Sequence, residues 1–177
     1  IYPDGFLPSI VGDVTDISAG GGIRGDLAGW DADFSVVYGS NELDYSVVNT
    51  LNASLGPTSP TEFDAGALEY DQVVINANVT QSFETLLPGI TTVSIGAEFG
   101  VGFAGGSQVY AGVTPQSEVD AGRDNIGLYA DVEWEPNDQT LLSAAVRYED
   151  YSDFGDTITG KITGRSAFQE VVAIRVA

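Results

Sequence analysis

The sequence predicts an all-β fold: an antiparallel up-and-down transmembrane β-barrel, with about eight strands present as an arc of a larger barrel. Three observations predict it. Apolar and polar residues alternate with period two along successive stretches, giving each a greasy face and a polar face. The connections alternate in length, tight or moderate at Ala28, Glu84, Pro136 and Gln169 and long at 40–70, 104–122 and 150–156. Short turns at one end and long loops at the other are the asymmetry of outer-membrane barrels. All 6 cations, Arg24, Arg123, Arg147, Lys161, Arg165 and Arg175, fall on the polar parity, and the central band of the apolar parity is free of charge. An arginine at the lipid midplane costs about 2–4 kcal/mol, so such exclusion is expected of a face that meets hydrocarbon.

The elements follow in order. After a loop over Ile1–Val14, a strand near 15–27 sets Ile17, Ala19, Gly21, Ile23, Gly25 and Leu27 against Ser18, Gly20, Gly22, Arg24 and Asp26. Ala28 and Gly29 turn the chain tightly into a second strand, near 30–44, with Trp30, Ala32, Phe34, Val36 and Tyr38 on one face and Asp31, Asp33, Ser35, Val37 and Gly39 on the other. The excursion 40–70 is rich in Asn, Ser, Thr, Pro and Gly, far beyond hairpin length, and a short helix is expected around Val48–Leu55. The third strand, near 70–83, carries Val73, Ile75, Ala77, Val79 and Phe83 against Gln72, Val74, Asn76, Asn78 and Thr80. The fourth, near 91–103, has the cleanest alternation, Val93, Ile95, Ala97, Phe99, Val101 and Phe103 against Thr92, Ser94, Gly96, Glu98, Gly100 and Gly102.

Beyond the loop 104–122, a fifth strand near 123–135 sets Ile126, Leu128, Ala130, Val132 and Trp134 against Arg123, Asn125, Gly127, Tyr129, Asp131 and Glu133. Pro136, Asn137 and Asp138 turn it into a hairpin of strands near 139–149 and 157–168. There Leu142, Ala144, Val146, Tyr148, Ile158, Gly160, Ile162, Gly164 and Phe168 share the greasy face, while Ser143, Ala145, Arg147, Glu149, Thr157, Thr159, Lys161, Thr163 and Arg165 share the other. An eighth strand, 171–177, places Val172, Ile174 and Val176 opposite in sense to Arg175. Trp30, Phe83, Trp134 and Phe168 lie beside the short turns and Tyr38, Phe103 and Tyr148 at the other strand ends, the arrangement of interfacial aromatic girdles. A soluble β-sandwich strand also alternates and ends in aromatics; the loop asymmetry and the placement of charge favour lipid. A sheet facing lipid must close, because hydrocarbon offers its backbone no partners. Glycine-rich polar faces are thin filling for a narrow eight-stranded barrel, which favours an arc of a wider one.

Composition narrows the chemistry. Carboxylates number 26 against 6 cations, a net charge of -20 that repels nucleic acid. There is no Cys and no His, hence no disulfide, thiolate site or imidazole base, and the chain reads as a non-enzyme without cofactor or metal. No run of about 18 apolar residues offers a spanning helix. Ile1 opens on a polar segment without signal-peptide character or initiator Met, as expected of a processed chain or a piece of a longer one. The carboxylates of Glu149, Asp150, Asp153 and Asp156 lack the spacing of a dedicated calcium loop and read as a solvated loop. Gly20–Gly22 before Arg24 lacks the Lys-Ser/Thr of a phosphate loop. Arg24, Asp31, Asp33, Arg123, Asp131, Arg147, Lys161 and Arg165 are candidates for lining the lumen. Loop aromatics Tyr45, Phe63, Tyr70, Tyr110, Tyr151 and Phe154 are candidates for gripping a ligand, the alternative being packing of the loops on themselves.

The segment AAVRYEDYSDFGDTITGKITGR resembles TonB-dependent outer-membrane receptors, in which a strand of the form LRYEDYSDFG, a short loop and a strand beginning T, one residue, TGK recur. Leu51–Pro60 followed by Phe63–Tyr70 looks like an extracellular loop of these receptors, and Val93–Phe99 and Asn125–Val132 look like their strands. The resemblance covers nearly the whole chain. It implies a 22-stranded barrel in the outer membrane of a Gram-negative bacterium, plugged by an N-terminal domain and importing a scarce nutrient of the siderophore, cobalamin, oligosaccharide or peptide class. The energy would come from the inner-membrane TonB complex. On that reading residues 1–177 are barrel wall without the plug domain, and the partners are lipid, the rest of the barrel, the plug, TonB through that plug, and a small-molecule nutrient. Lumen candidates would then face the plug. Two other readings remain: an autonomous eight-stranded outer-membrane barrel serving as adhesin or anchor, and a secreted acidic β-sandwich that binds a ligand.

Overall fold

The computed structural model describes residues 2–84, 86–108, 117–168 and 172–176. Eight antiparallel strands form one sheet in chain order: β1 Ser9–Leu27, β2 Trp30–Val48, β3 Glu62–Phe83, β4 Ile90–Gln108, β5 Ser117–Asn137, β6 Thr140–Tyr151, β7 Gly155–Phe168 and β8 Val172–Val176. No pairing of β8 with β1 closes the sheet among the described residues.

The strands run well past the apolar stretches, which corrects four expectations. β1 begins inside the loop expected over Ile1–Val14. Strands also consume most of the loop expected at 40–70, leaving 49–61 between β2 and β3, and they enter 104–122 from both sides. The hairpin loop 150–156 contracts to 152–154. The reason is physical: alternation of hydropathy marks where a strand touches an apolar medium, whereas ladder hydrogen bonds continue through polar sequence such as Asn41–Asp44. The helix expected around Val48–Leu55 is replaced by the end of β2 and a 3₁₀ turn, Ala53–Thr58. Asn52 caps it by accepting from the Ser54 N–H at 3.0 Å, and Gly56 at φ 56° with Pro57 beside it prevents a longer helix.

The described residues group into two compact units, one from 1–19, 38–73 and 102–122, the other from 20–37, 74–101 and 123–177. In the first, the 49–61 link folds on itself. Ser59, buried, accepts from the Asn52 N–H at 2.7 Å and donates to the Pro60 carbonyl at 2.8 Å. Tyr38 donates to Asp71 and Asn41 to Asp16, each at 2.7 Å, joining neighbouring strands through side chains.

In the second unit the register places like with like. Leu128, Ala130, Val132 and Trp134 of β5 oppose Tyr148, Val146, Ala144 and Leu142 of β6. These in turn oppose Ile158, Gly160, Ile162 and Gly164 of β7. From Leu141 onward the β6 side chains alternate, half-buried on the polar face and exposed on the apolar face. Ile95 is 49% exposed, Val132 42% and Ile162 79%, so the greasy residues do not meet in a protein core. Among the described residues Phe63 is the one buried hydrophobic side chain. Such a surface calls for an apolar medium or partner against it.

The short turns have specific locks. Ala28 (φ 55°) and Gly29 (φ 88°) both take left-handed conformations, as a two-residue hairpin turn of this twist demands, and Asp26 accepts from the Gly29 N–H at 3.2 Å. Trp134 donates its indole N–H to the Pro88 carbonyl at 2.9 Å, fastening the β3–β4 turn to β5. Trp30 and Phe83 meet edge to face at 6.0 Å beside the same short-turn ends.

Candidate functional site

The polar face of β4–β7 carries a connected set of charged and hydroxyl groups. Arg147 on β6 donates to Glu98 on β4 at 3.0 Å and, through Nε, to Glu149 at 3.0 Å. Tyr151 completes the set by donating its hydroxyl to the same Glu149 oxygen at 3.0 Å. The three charged side chains are 32%, 29% and 19% exposed and close enough to hold one geometry.

Glycines on this face make room for that geometry. A Cβ on Gly127 would lie 2.8 Å from Arg147 Nη2, and one on Gly96 would lie 2.2 Å from the Tyr129 ring. Tyr129 settles over Gly96 and donates to Asn78 at 2.7 Å. Toward the short turns the pattern becomes a row of hydroxyl pairs, Thr80 with Ser94, Ser82 with Thr92 and Ser143 with Thr163. Glycines read from sequence as thin filling are therefore berths for the side chains of adjacent strands.

At the loop end of the β6–β7 hairpin, Tyr151 and Phe154 stack with centroids 4.4 Å apart. The Arg123 guanidinium stands 5.3 Å from the Phe154 ring and 6.0 Å from the Tyr151 ring, and bonds Asp153 at 2.6 Å. The loop is pinned from below, with Ser152 donating its N–H to the Asp124 carbonyl at 2.9 Å and accepting from the Asp124 N–H at 3.0 Å. Phe154 is 63% exposed, an aromatic surface held at a fixed angle. Asp153 serves an arginine in this arrangement.

The structure thus brings together Arg123, Tyr151 and Phe154, and separately Arg147 with its two carboxylates. Tyr45 is half-buried and Tyr70 exposed, both in the first unit, where Tyr70 rests its hydroxyl over Gly102. Phe63, at the start of β3, is buried and offers no ring surface to a ligand. Tyr110 lies outside the described residues. Arg24, Asp31, Lys161 and Arg165 are exposed, and Asp33 and Asp131 half-buried. Sequence reading missed Glu98 and Asn78. The signal for Glu98 was present, a lone carboxylate between Gly96 and Gly100 on the polar parity.

A family model described as "TonB dependent receptor-like, beta-barrel" matches residues 5–170. Among solved structures the chain is similar to one titled "Structure of the RagAB peptide transporter", with a TM-score of 0.67 at 10% sequence identity. The alignment covers 93% of this chain and 21% of that one, so the chain spans about a fifth of the length of the structure it matches. At that identity the likeness speaks for the fold alone. No curated protein matches in sequence.

Proposed function

We propose, from the premise that this chain belongs to the TonB-dependent receptor-like β-barrel family, that it is barrel wall of a receptor importing a scarce nutrient across the outer membrane. Receptor barrels of this family reside in the outer membrane of Gram-negative bacteria. The observation that carries the reading is the two-sided sheet: an exposed apolar face whose central band has no charge, and a polar face knit by Arg147, Glu98, Glu149, Tyr129 and Asn78. The first face suits lipid and the second a watery bore filled by a plug.

The Tyr151–Phe154 platform is the ligand-facing element, at the loop end of its hairpin and rigidly held. Flat apolar faces suit the rings and CH-rich faces of an oligosaccharide, a cobalamin or a siderophore, and the neighbour's title adds a peptide to the range. The plug and the TonB complex belong to the parts of the receptor that couple energy. The likeness to about a fifth of the neighbour's length favours a wall segment over an autonomous eight-stranded barrel.

The test uses the full-length protein in its native membrane with a short epitope inserted at Asp153. The reading expects surface labelling of intact cells and uptake of the nutrient that stops when the TonB complex is removed or the proton gradient collapsed. A protein that stays monomeric in plain buffer, or an epitope reached only after lysis, would overturn it.

A further inference from the structure

On the polar face of β7 and β8 the register sets Arg165 directly opposite Arg175. Residues so placed stand about 4.5–5.5 Å apart at Cα, and like charges there repel. Both side chains are exposed. Lys161 lies on the same face of β7, opposite Ala145. The remaining polar-face residues of β7, Gly155, Thr157, Thr159, Thr163 and Ala167, bring no carboxylate. Asp131 and Glu133 are separated from β7 by β6, since Asp131 faces Ala145, which faces Lys161, and Glu133 faces Ser143, which faces Thr163. Two strand spacings are roughly 10 Å, a span that Arg147 crosses to Glu98 over Gly127, but among the described residues no such ion pair joins a carboxylate to Arg165 or Arg175.

Among the other arginines of this unit, Arg123 and Arg147 are each bound to a carboxylate; among the described residues Arg24, Arg165 and Arg175 have none, and Arg165 and Arg175 face each other across a strand pair. The chain holds 26 carboxylates against 6 cations, so a counter-charge could have been supplied at almost any neighbouring position. Instead β6 sets Leu141 opposite Arg165, and the next polar-face residues along β7 are Thr163 and Ala167.

We propose that Arg165 and Arg175 form a clamp for a carboxylate on the bore-facing wall. Each guanidinium is a planar fork whose paired N–H groups match the two oxygens of a carboxylate, and two forks abreast converge on one such group. Lys161, about 13 Å further along the strand, adds to the local positive field and not to the grip. The clamp rests on the reading that this face looks into the bore. Its carboxylate comes from a solute in the bore or from an acidic side chain of the polypeptide seated there. The chemistry is shared, and the two sources separate by experiment.

The experiment compares full-length wild-type protein, purified in detergent, with the variant Arg165→Thr/Arg175→Thr, threonine being what β7 already carries on this face. Outer-membrane fractionation and heat-modifiable gel mobility establish that both fold. Succinate is the solute probe, followed by calorimetry at low and high salt. If the clamp serves a solute, wild type binds succinate in a salt-sensitive way and the variant loses at least tenfold in affinity. If it serves a side chain, wild type ignores succinate, and the variant lowers the urea concentration at which the bore-seated segment becomes open to protease while the barrel's own mobility is unchanged. In that case Arg165→Lys/Arg175→Lys recovers only part of the resistance, because an ammonium lacks the fork. Unchanged succinate affinity together with an unchanged urea midpoint overturns the clamp. A protein absent from the outer membrane would overturn the wall reading, a separate failure visible before any binding is measured.

Discussion

Arg147 on β6 reaches Glu98 on β4 at 3.0 Å by passing over Gly127 of the intervening strand, where a Cβ would stand 2.8 Å from its Nη2. Gly127→Val should displace the guanidinium and uncouple the pair. The loss is about 1 kcal/mol, the upper range for a partly exposed ion pair. A double-mutant cycle checks it: Glu98→Gln should lower the unfolding midpoint of the full-length protein in detergent, and should add nothing once Gly127→Val is present.

Tyr129 covers Gly96 and donates to Asn78 at 2.7 Å. Tyr129→Phe should cost about 1 kcal/mol for the hydrogen bond alone. Gly96→Ala should cost more, about 1–3 kcal/mol, because a methyl 2.2 Å from the ring forces the whole side chain off the wall. Heat-modifiable mobility against temperature ranks the two variants, and equal midpoints would remove the glycine berth from the account.

Ser143 and Ala144 are sequence neighbours on opposite faces, Ser143 opposing Glu133 and Thr163, Ala144 opposing Val132 and Ile162. Ala144→Arg should place a charge in hydrocarbon at about 2–4 kcal/mol near the midplane and impair membrane assembly. Ser143→Arg should assemble normally, gaining Glu133 as a partner. Outer-membrane fractions quantify both, and equal yields would reverse the assignment of faces.

The platform at the hairpin tip gives a functional prediction. Phe154→Ala should reduce uptake severalfold with surface display unchanged, since the exposed ring contributes to contact and little to folding. Arg123→Gln should have a smaller effect of the same kind, by releasing Asp153 and the underside of the stacked rings. Uptake of labelled nutrient, normalised to surface epitope, separates these outcomes.

The faces of the strands were readable from sequence because alternation is a local signal: Ile158 and Ile162 declare one side, Lys161 and Thr163 the other, and the register agrees. Strand ends were not. Asn41–Val48 moves its apolar residues Leu43, Tyr45 and Val47 to the parity opposite that of Trp30–Tyr38, and Glu62–Glu69 mixes charge with small residues; what makes both strands is pairing with residues distant in sequence. The same limit hid the site's partnerships. Arg147 was visible as a polar-face cation, but its choice of Glu98, 49 residues away, depends on the order of strands and on a glycine between them. Arg123 reads from sequence as a lumen candidate, and no local pattern encodes its pairing with Asp153 and its place over Phe154, which the loop geometry supplies.

The alternation that exposes Ile95 and Ile162 beside polar neighbours also bears on how such a chain reaches its destination. No helix among the described residues is long and apolar enough to cross a membrane, and the mean hydropathy is only +0.05. A polypeptide bound for a distant bilayer must pass the first one without lodging there, and contiguous greasy runs are what lodge. Splitting hydrophobicity across every second residue keeps each segment below the threshold for insertion during export. The apolar surface comes into being only when neighbouring strands zip together, so the hydrocarbon that can hold it is selected at the moment of assembly.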